Sequence, residues 1–231
     1  MKHLLQKRYC RGQMVTSYIT DAGHNVSEIH TQIYDAIRSV VYSRKDIIQH
    51  ILQEKYGSMP SHSCNFFEFT RWDFILGADM KVYLLEANLS PDMSSKGPGH
   101  DRTMRNERHL YNVIRTLGAD RKSGHANSWL RNSDVLVSAA ICYKPMCASC
   151  TSEECFLCGH CLTEDHVTIL KESFGEHLNR QGMRRLHPMP MTQEESTVKR
   201  QQPRTGYMSK LEQLNQVWFQ EKCKQNAYWC T

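Results

Sequence analysis

Apolar positions recur at helical spacing early in the chain. Ile29, Ile33, Ile37, Val40 and Val41 share one face of a helix spanning roughly residues 26 to 42, opened by Asn25 with Glu28 three residues on as a capping pair. Ser43 and Asp46 are candidates to open a second helix, with Ile47, Ile48, Ile51 and Leu52 as its stripe and Gly57 as its stop. These aliphatic stripes read as core packing. Upstream, Met14 to Ile19 (MVTSYI) reads as a short strand.

The period then changes. After GSMPSHS, the runs NFFEFTRWDFIL and VYLLEANLS flank the polar turn GADMK, whose Gly77 and Asp79 mark a β-hairpin. Asp101 is placed to cap a further helix that continues to about Leu117 and ends at Gly118. Leu110, Val113, Ile114 and Leu117 fall on one face of it and Arg105, Arg108 and Arg115 on the other, so the basic face should look outward. Asp134 to Tyr143 (DVLVSAAICY) reads as an apolar strand leading into a cysteine-rich segment. Residues 164 to 231 are polar with scattered aromatics, and Arg184 to Arg204 lacks periodicity. They read as a flexible, partly disordered tail with room for a short helix from Lys210 to Trp218. No internal repeat is visible.

Composition narrows the class. A chain of 231 residues with 40% apolar content can build one sizeable domain or two small ones. The net charge of +5 favours acidic partners without indicating nucleic acid. No run reaches the ~18 apolar residues of a membrane span, and the opening MKHLLQKRYCRG offers only Leu4 and Leu5 as the apolar core of a signal peptide. The expectation is a soluble protein, either cytosolic or lacking its true start.

The chemistry lies in the hairpin. Residues i and i+2 of a strand face the same way, so Glu86 and Asn88 stand together. A hairpin turning about Asp79 and Met80 sets Asp73 opposite Glu86 and brings three oxygen-bearing side chains to one patch. Two carboxylates and an amide, without Cys or His, suit a hard cation such as Mg²⁺, which takes remaining ligands from water and substrate phosphates. The alternative is an ordinary solvent-facing strand.

The stretch NFFEFTRWDFILGADMKVYLLEANLSPDMSS resembles the C-terminal signature of the tubulin-tyrosine ligase-like family, and the likeness extends more loosely over the helices on either side. It implies an α+β fold in which residues 1–120 form the C-terminal lobe of an ATP-grasp domain, an antiparallel sheet with packed helices. A Cys-rich segment over 121–163 and the tail over 164–231 would follow. The implied activity is ATP-dependent ligation of an amino acid (glutamate, tyrosine or glycine) to a protein carboxylate through an acyl-phosphate, with the tubulin C-terminal tail as acidic partner and a cytoplasmic, microtubule-associated address. The implied ligands of Mg²⁺ and ATP are Asp73, Glu86 and Asn88. The family's nucleotide clamp would need far more than the 72 residues that precede Asp73, so the chain by itself is expected to bind Mg-ATP weakly and to turn nothing over. Arg102, Arg105, Arg108 and Arg115 are candidate contacts for an acidic substrate, against the reading of a solvated helix face. A non-catalytic binding module with a cysteine-rich appendage is the rival to the enzyme.

Cys142, Cys147, Cys150, Cys155, Cys158 and Cys161 crowd into twenty residues, with His160 among them. Paired C-x2-C knuckles suit structural Zn²⁺, but here they lie closer together than zinc ribbons place them. An even count of six suits disulfides, which would imply a secretory or luminal address and make Asn25-Val26-Ser27 a usable glycosylation sequon.

Overall fold

A computed structural model describes residues 11–57, 67–89, 91, 100–118, 130–137, 140–198 and 209–231. The chain packs as two compact units, Met1–Ile51 with Phe66–Pro91 and Leu52–Asn65 with Asp92–Thr231.

The first unit opens on α1 (Arg11–Asp21). The strand expected over Met14 to Ile19 is therefore helical. Ile19 is buried, and the β-branched residues here are accommodated by helical hydrogen bonds, as when Thr20 Oγ1 donates to the Thr16 carbonyl at 2.9 Å. Strand propensity is a weak prior that such bonds override. The second helix, α2 (Val26–Tyr56), merges the two helices expected from the apolar stripes. No Gly or Pro interrupts it, and the Ser43 hydroxyl donates back to the Val40 carbonyl at 2.8 Å instead of capping a new start. The expected caps hold at both ends: Asn25 Oδ1 accepts from Ser27 N at 2.9 Å, and Gly57, at φ +70°, closes the last turn onto Gln53. The second stripe is not core, however. Ile47, Ile48 and Ile51 are exposed, as is Val41 at the end of the first stripe, whereas Ile29 is buried.

Strands β1 (Thr70–Leu76) and β2 (Val82–Leu89) pair antiparallel, as expected, and are the sheet formed by the described residues. In the turn, Gly77 N donates to the Lys81 carbonyl at 2.8 Å, and Met80 N donates to the Gly77 carbonyl at 3.0 Å. A Cβ on Gly77 would fall 2.6 Å from Asp79 Oδ1, which accepts from Lys81 N at 3.2 Å, so a larger residue there would displace that carboxylate. Gln32 of α2 holds the hairpin from one side. Its Nε2 donates to the Met80 carbonyl at 3.1 Å and its Oε1 accepts from Val82 N at 3.0 Å.

The second unit contains α3 (His100–Thr116), which begins one residue before the expected Asp101 cap and is followed by Gly118 at φ +69°. It packs on α5 (Glu164–Asn179), where Thr116 Oγ1 donates to the Asn179 carbonyl at 3.3 Å. The strand expected over Asp134 to Tyr143 is replaced by the short α4 (Asn132–Val135) and a 3-10 turn over Ala140–Tyr143. The Asp134 carboxylate accepts from Arg131 N at 2.7 Å and turns the chain, so the apolar run buries Val135 and Val137 without laddering.

The expected tail is corrected most. Residues 164–198 and 209–231 form α5, α6 (Gln193–Thr197) and α7 (Lys210–Gln225), and they supply most of this unit's core. Leu170, Leu214, Trp218, Phe219 and Trp229 join Val135, Val137 and Leu157 in one cluster, and the Trp218 indole donates to the Val135 carbonyl at 2.7 Å. Low average hydropathy hid this core because a few large aromatics supply the buried area. Helix α7 begins at a capping box of Ser209 and Glu212 and runs past Trp218 to Gln225.

Candidate metal and nucleotide site

Asp73 pairs with Glu86, but not by simple mirror counting. The turn centres on Asp79, since Leu76 pairs with Val82, and that register alone would set Asp73 opposite Leu85. A bulge between the Phe74–Leu84 and Asp73–Glu86 pairs leaves Leu85, 63% exposed, outside the pairing and advances β2 by one residue. The bulge therefore carries Glu86 and Asn88 to the face that bears Asp73.

On that face Asn88 Nδ2 donates to Glu86 Oε1 at 3.0 Å and to Asp73 Oδ2 at 3.3 Å. The amide bridges two carboxylates that would otherwise repel. Arg71, two residues before Asp73 and paired with Asn88, completes the patch. Its Nε and Nη2 donate to Asp73 Oδ1 and Oδ2 at 3.1 and 3.0 Å. Arg71 was not among the sequence candidates, although its i−2 spacing from Asp73 places it on the same face. Nothing local in the sequence links Gln32, a helix residue, to a turn about fifty positions on.

The donor types fit a hard cation, two carboxylates and an amide with no sulfur or imidazole among them; the amide faces the carboxylates through Nδ2, and a half-turn of the amide group would offer Oδ1 to an ion instead. All three side chains are at least partly solvent-accessible, so ligand entry needs no opening. The site carries one cation of its own, Arg71, against two carboxylates, and so remains net negative.

Helix α3 carries the four arginines. Arg108 is exposed and Arg115 lies over the Tyr111 ring at 5.8 Å, while the side chains of Arg102 and Arg105 are outside the described residues. The helix belongs to the second unit and the hairpin to the first.

In the cysteine segment the sulfurs pair as Cys142–Cys158, Cys147–Cys155 and Cys150–Cys161, with Cα separations of 5.3, 5.2 and 5.5 Å. Such separations suit disulfides, one connectivity of the fifteen that six cysteines allow. His160 and the sulfurs of Cys150 and Cys161 lie within 4.8 Å of one another, but His160 Nε2 is engaged with the Cys147 carbonyl at 2.9 Å and the two sulfurs are bonded to each other. A fourth pair, Cys223–Cys230, closes the end of α7 and was not expected. The overall count of ten cysteines, four of them outside the cluster, was the available signal.

Residues 5–116 match the model of the tubulin-tyrosine ligase family. The family resemblance stated from the hairpin is therefore borne out over residues 5–116. Among curated proteins, the chain is 26% identical over 229 residues to the Caenorhabditis elegans "Probable tubulin polyglutamylase ttll-15", covering 94% of this chain and 41% of that protein. It is 33% identical over 82 residues to the Homo sapiens "Tubulin polyglutamylase TTLL6", covering 35% of this chain and 9% of that protein. The chain thus spans less than half the length of the curated relatives it matches. The first alignment runs beyond the family segment, so the cysteine-rich half also has a counterpart there. No solved structure matches the chain.

Proposed function

We propose that this chain supplies the Mg-ATP-binding lobe of an ATP-dependent ligase that adds an amino acid, glutamate first among the candidates, to a carboxylate of an acidic protein. The observation that carries the reading is the pairing of Asp73 with Glu86 beside Asn88 on one face of a hairpin, in a segment that matches this family. In this reading the lobe is part of an ATP-grasp fold. Asp73, Glu86 and the amide oxygen of Asn88 would hold Mg²⁺. That ion, when bound, supplies charge neutralisation for the ATP phosphates as the acceptor carboxylate is activated to its acyl-phosphate. The forked ion pair from Arg71 orients the Asp73 carboxylate, and the bulge at Leu85 sets the facing side of the site. Arg108 and Arg115 of α3 are candidate cationic contacts for an acidic acceptor. Tubulin, the substrate in the relatives' names, is the first acceptor to assay.

A second reading, a non-catalytic binding module, draws on the same patch. Both oxygens of Asp73 accept from Arg71, as in a structural ion pair. Mn²⁺ titrated as a paramagnetic stand-in against the labelled chain separates the two. The ligase reading expects selective broadening of amide signals at residues 71–75 and 84–88 that Asp73→Asn abolishes. In the complete protein, Asp73→Asn or Glu86→Gln should abolish ATP-dependent incorporation of labelled glutamate without unfolding the hairpin. Uniform broadening together with unchanged incorporation would sink the assignment.

A further inference from the structure

The cysteine-rich half and the helix α1–α2 junction carry an inference that does not depend on the ligase reading. Between Ala140 and Cys161 the backbone forms only short 3-10 turns. The cluster at the centre of this segment is made of Cys147, Cys155 and Cys158, each with no exposed surface, backed by Ile141, Cys142 and Cys161. Its interior is therefore cystine. Reduced, the segment would hold six thiols in place of this cystine interior, and the turns around it would lose their cross-links. The same segment presents Phe156, Leu157 and Leu162 to the core formed by α5 and α7, so the fold of the second unit is tied to the oxidised state. With Cys223–Cys230, eight cysteines among the described residues stand in disulfides.

Asn25-Val26-Ser27 lies where α1 turns into α2, with both Asn25 and Ser27 exposed. Asn25 Oδ1 accepts from the backbone N of Ser27 at 2.9 Å, and its Nδ2 points outward to Glu28 Oε1 at 3.3 Å. The cap uses the oxygen, so the nitrogen can be substituted without losing the helix start. The chain's other such triplet, Asn88-Leu89-Ser90, differs on each count. Asn88 is half-buried in a strand, its Nδ2 is shared between two carboxylates, and Pro91 follows.

We infer that the protein matures in an oxidising secretory compartment and that Asn25 is its N-glycosylation site. Each disulfide forms by exchange with an oxidised dithiol donor. Two sulfur–hydrogen bonds and the donor's sulfur–sulfur bond are exchanged for one cystine and two donor thiols. At Asn25 a bond forms between Nδ2 and the anomeric carbon of a lipid-diphosphate-linked oligosaccharide. The carbon–oxygen bond to the lipid diphosphate breaks, and one amide proton leaves to a base of the transferring enzyme. If the ligase reading also holds, the acceptor carboxylate belongs to an acidic protein of that compartment.

The test uses the native protein from cells that express it, with thiols blocked at lysis and the peptides mapped without reduction after treatment with peptide N-glycanase in heavy-oxygen water. The expected result is four linked peptide pairs in the connectivity above and conversion of Asn25 to heavy-oxygen-labelled aspartate. Blocked free thiols at Cys142 to Cys161, zinc bound to reduced protein, or an unmodified Asn25 would each overturn the inference. Ser27→Ala removes the sequon but leaves the backbone cap. It should abolish the glycanase-sensitive gel shift while the disulfide map stays unchanged, and a persisting shift would place the glycan elsewhere and refute the assignment to Asn25.

Discussion

Replacing Trp218 by Phe tests whether the polar C-terminal third is a tail or a core. Trp218 has no exposed surface and belongs to α7, in the stretch that looks least like a domain from its composition. The substitution removes the indole N–H that donates to the Val135 carbonyl at 2.7 Å. Stripping a buried acceptor of its donor costs about 1–3 kcal/mol. The lost second ring leaves a void of about two methylene groups, worth ~1.6 kcal/mol at ~0.8 kcal/mol each. Edge-to-face geometry with Phe219 at 4.9 Å and Trp229 at 5.4 Å is partly kept by the phenyl ring, so no further loss is assigned to it. The sum is roughly 3–5 kcal/mol, a large share of the ~5–15 kcal/mol that holds a typical domain. Urea unfolding of the oxidised protein, followed by far-ultraviolet circular dichroism, measures it. Tyr143→Phe, at an 88% exposed position, serves as the neutral control. A Trp218→Phe loss below ~0.5 kcal/mol, within the range of ordinary surface substitutions, would refute the core assignment.

Acid should destabilise the second unit through His177, which is buried and stacked on Trp229 at 4.3 Å. Burial first, then the Arg180 and Arg185 guanidiniums, holds its pKa down at about 3. The unfolded chain therefore takes up the proton first. The stabilisation is complete above about pH 6.5 and is lost as pH falls toward 3, by up to ~1.4 kcal/mol per pH unit. His177→Gln should flatten that slope in urea titrations between pH 7 and 4, and equal slopes in the two proteins would exclude His177 as the source. In the first unit, Gln32→Ala breaks the bonds to Met80 and from Val82 and should cost about 1–2 kcal/mol of local hairpin stability. Hydrogen exchange at the Val82 amide should then accelerate roughly tenfold, and an unchanged rate would mean that the strand is held elsewhere.

Local chemistry made parts of this protein legible. The Asn25 cap, the stops at Gly57 and Gly118 and the hairpin around Gly77 all depend on residues a few positions apart. The pairing of Asp73 with Glu86 was also anticipated, though by counting from a turn placed half a residue too far along, an offset that the bulge at Leu85 makes good. Arg71 lay within reach of the same period-2 argument. Met14 to Ile19 and Asp134 to Tyr143 differ from expectation because the strand preference of β-branched and small apolar residues is weak against hydrogen bonds formed in place, such as Arg131 N donating to the Asp134 carboxylate.

What the sequence by itself determined is therefore the hairpin, its three oxygen-bearing side chains, the family these residues resemble and the crowding of six cysteines. Tertiary structure alone decided which cysteines pair, that Gln32 braces the hairpin, and that Trp218, Phe219 and Trp229 close over α5 in what looked like a tail. The division has one physical cause. Caps, turns and strand faces are set by steric and hydrogen-bonding choices within a few residues, whereas disulfide partners and aromatic cores depend on which distant segments bury one another.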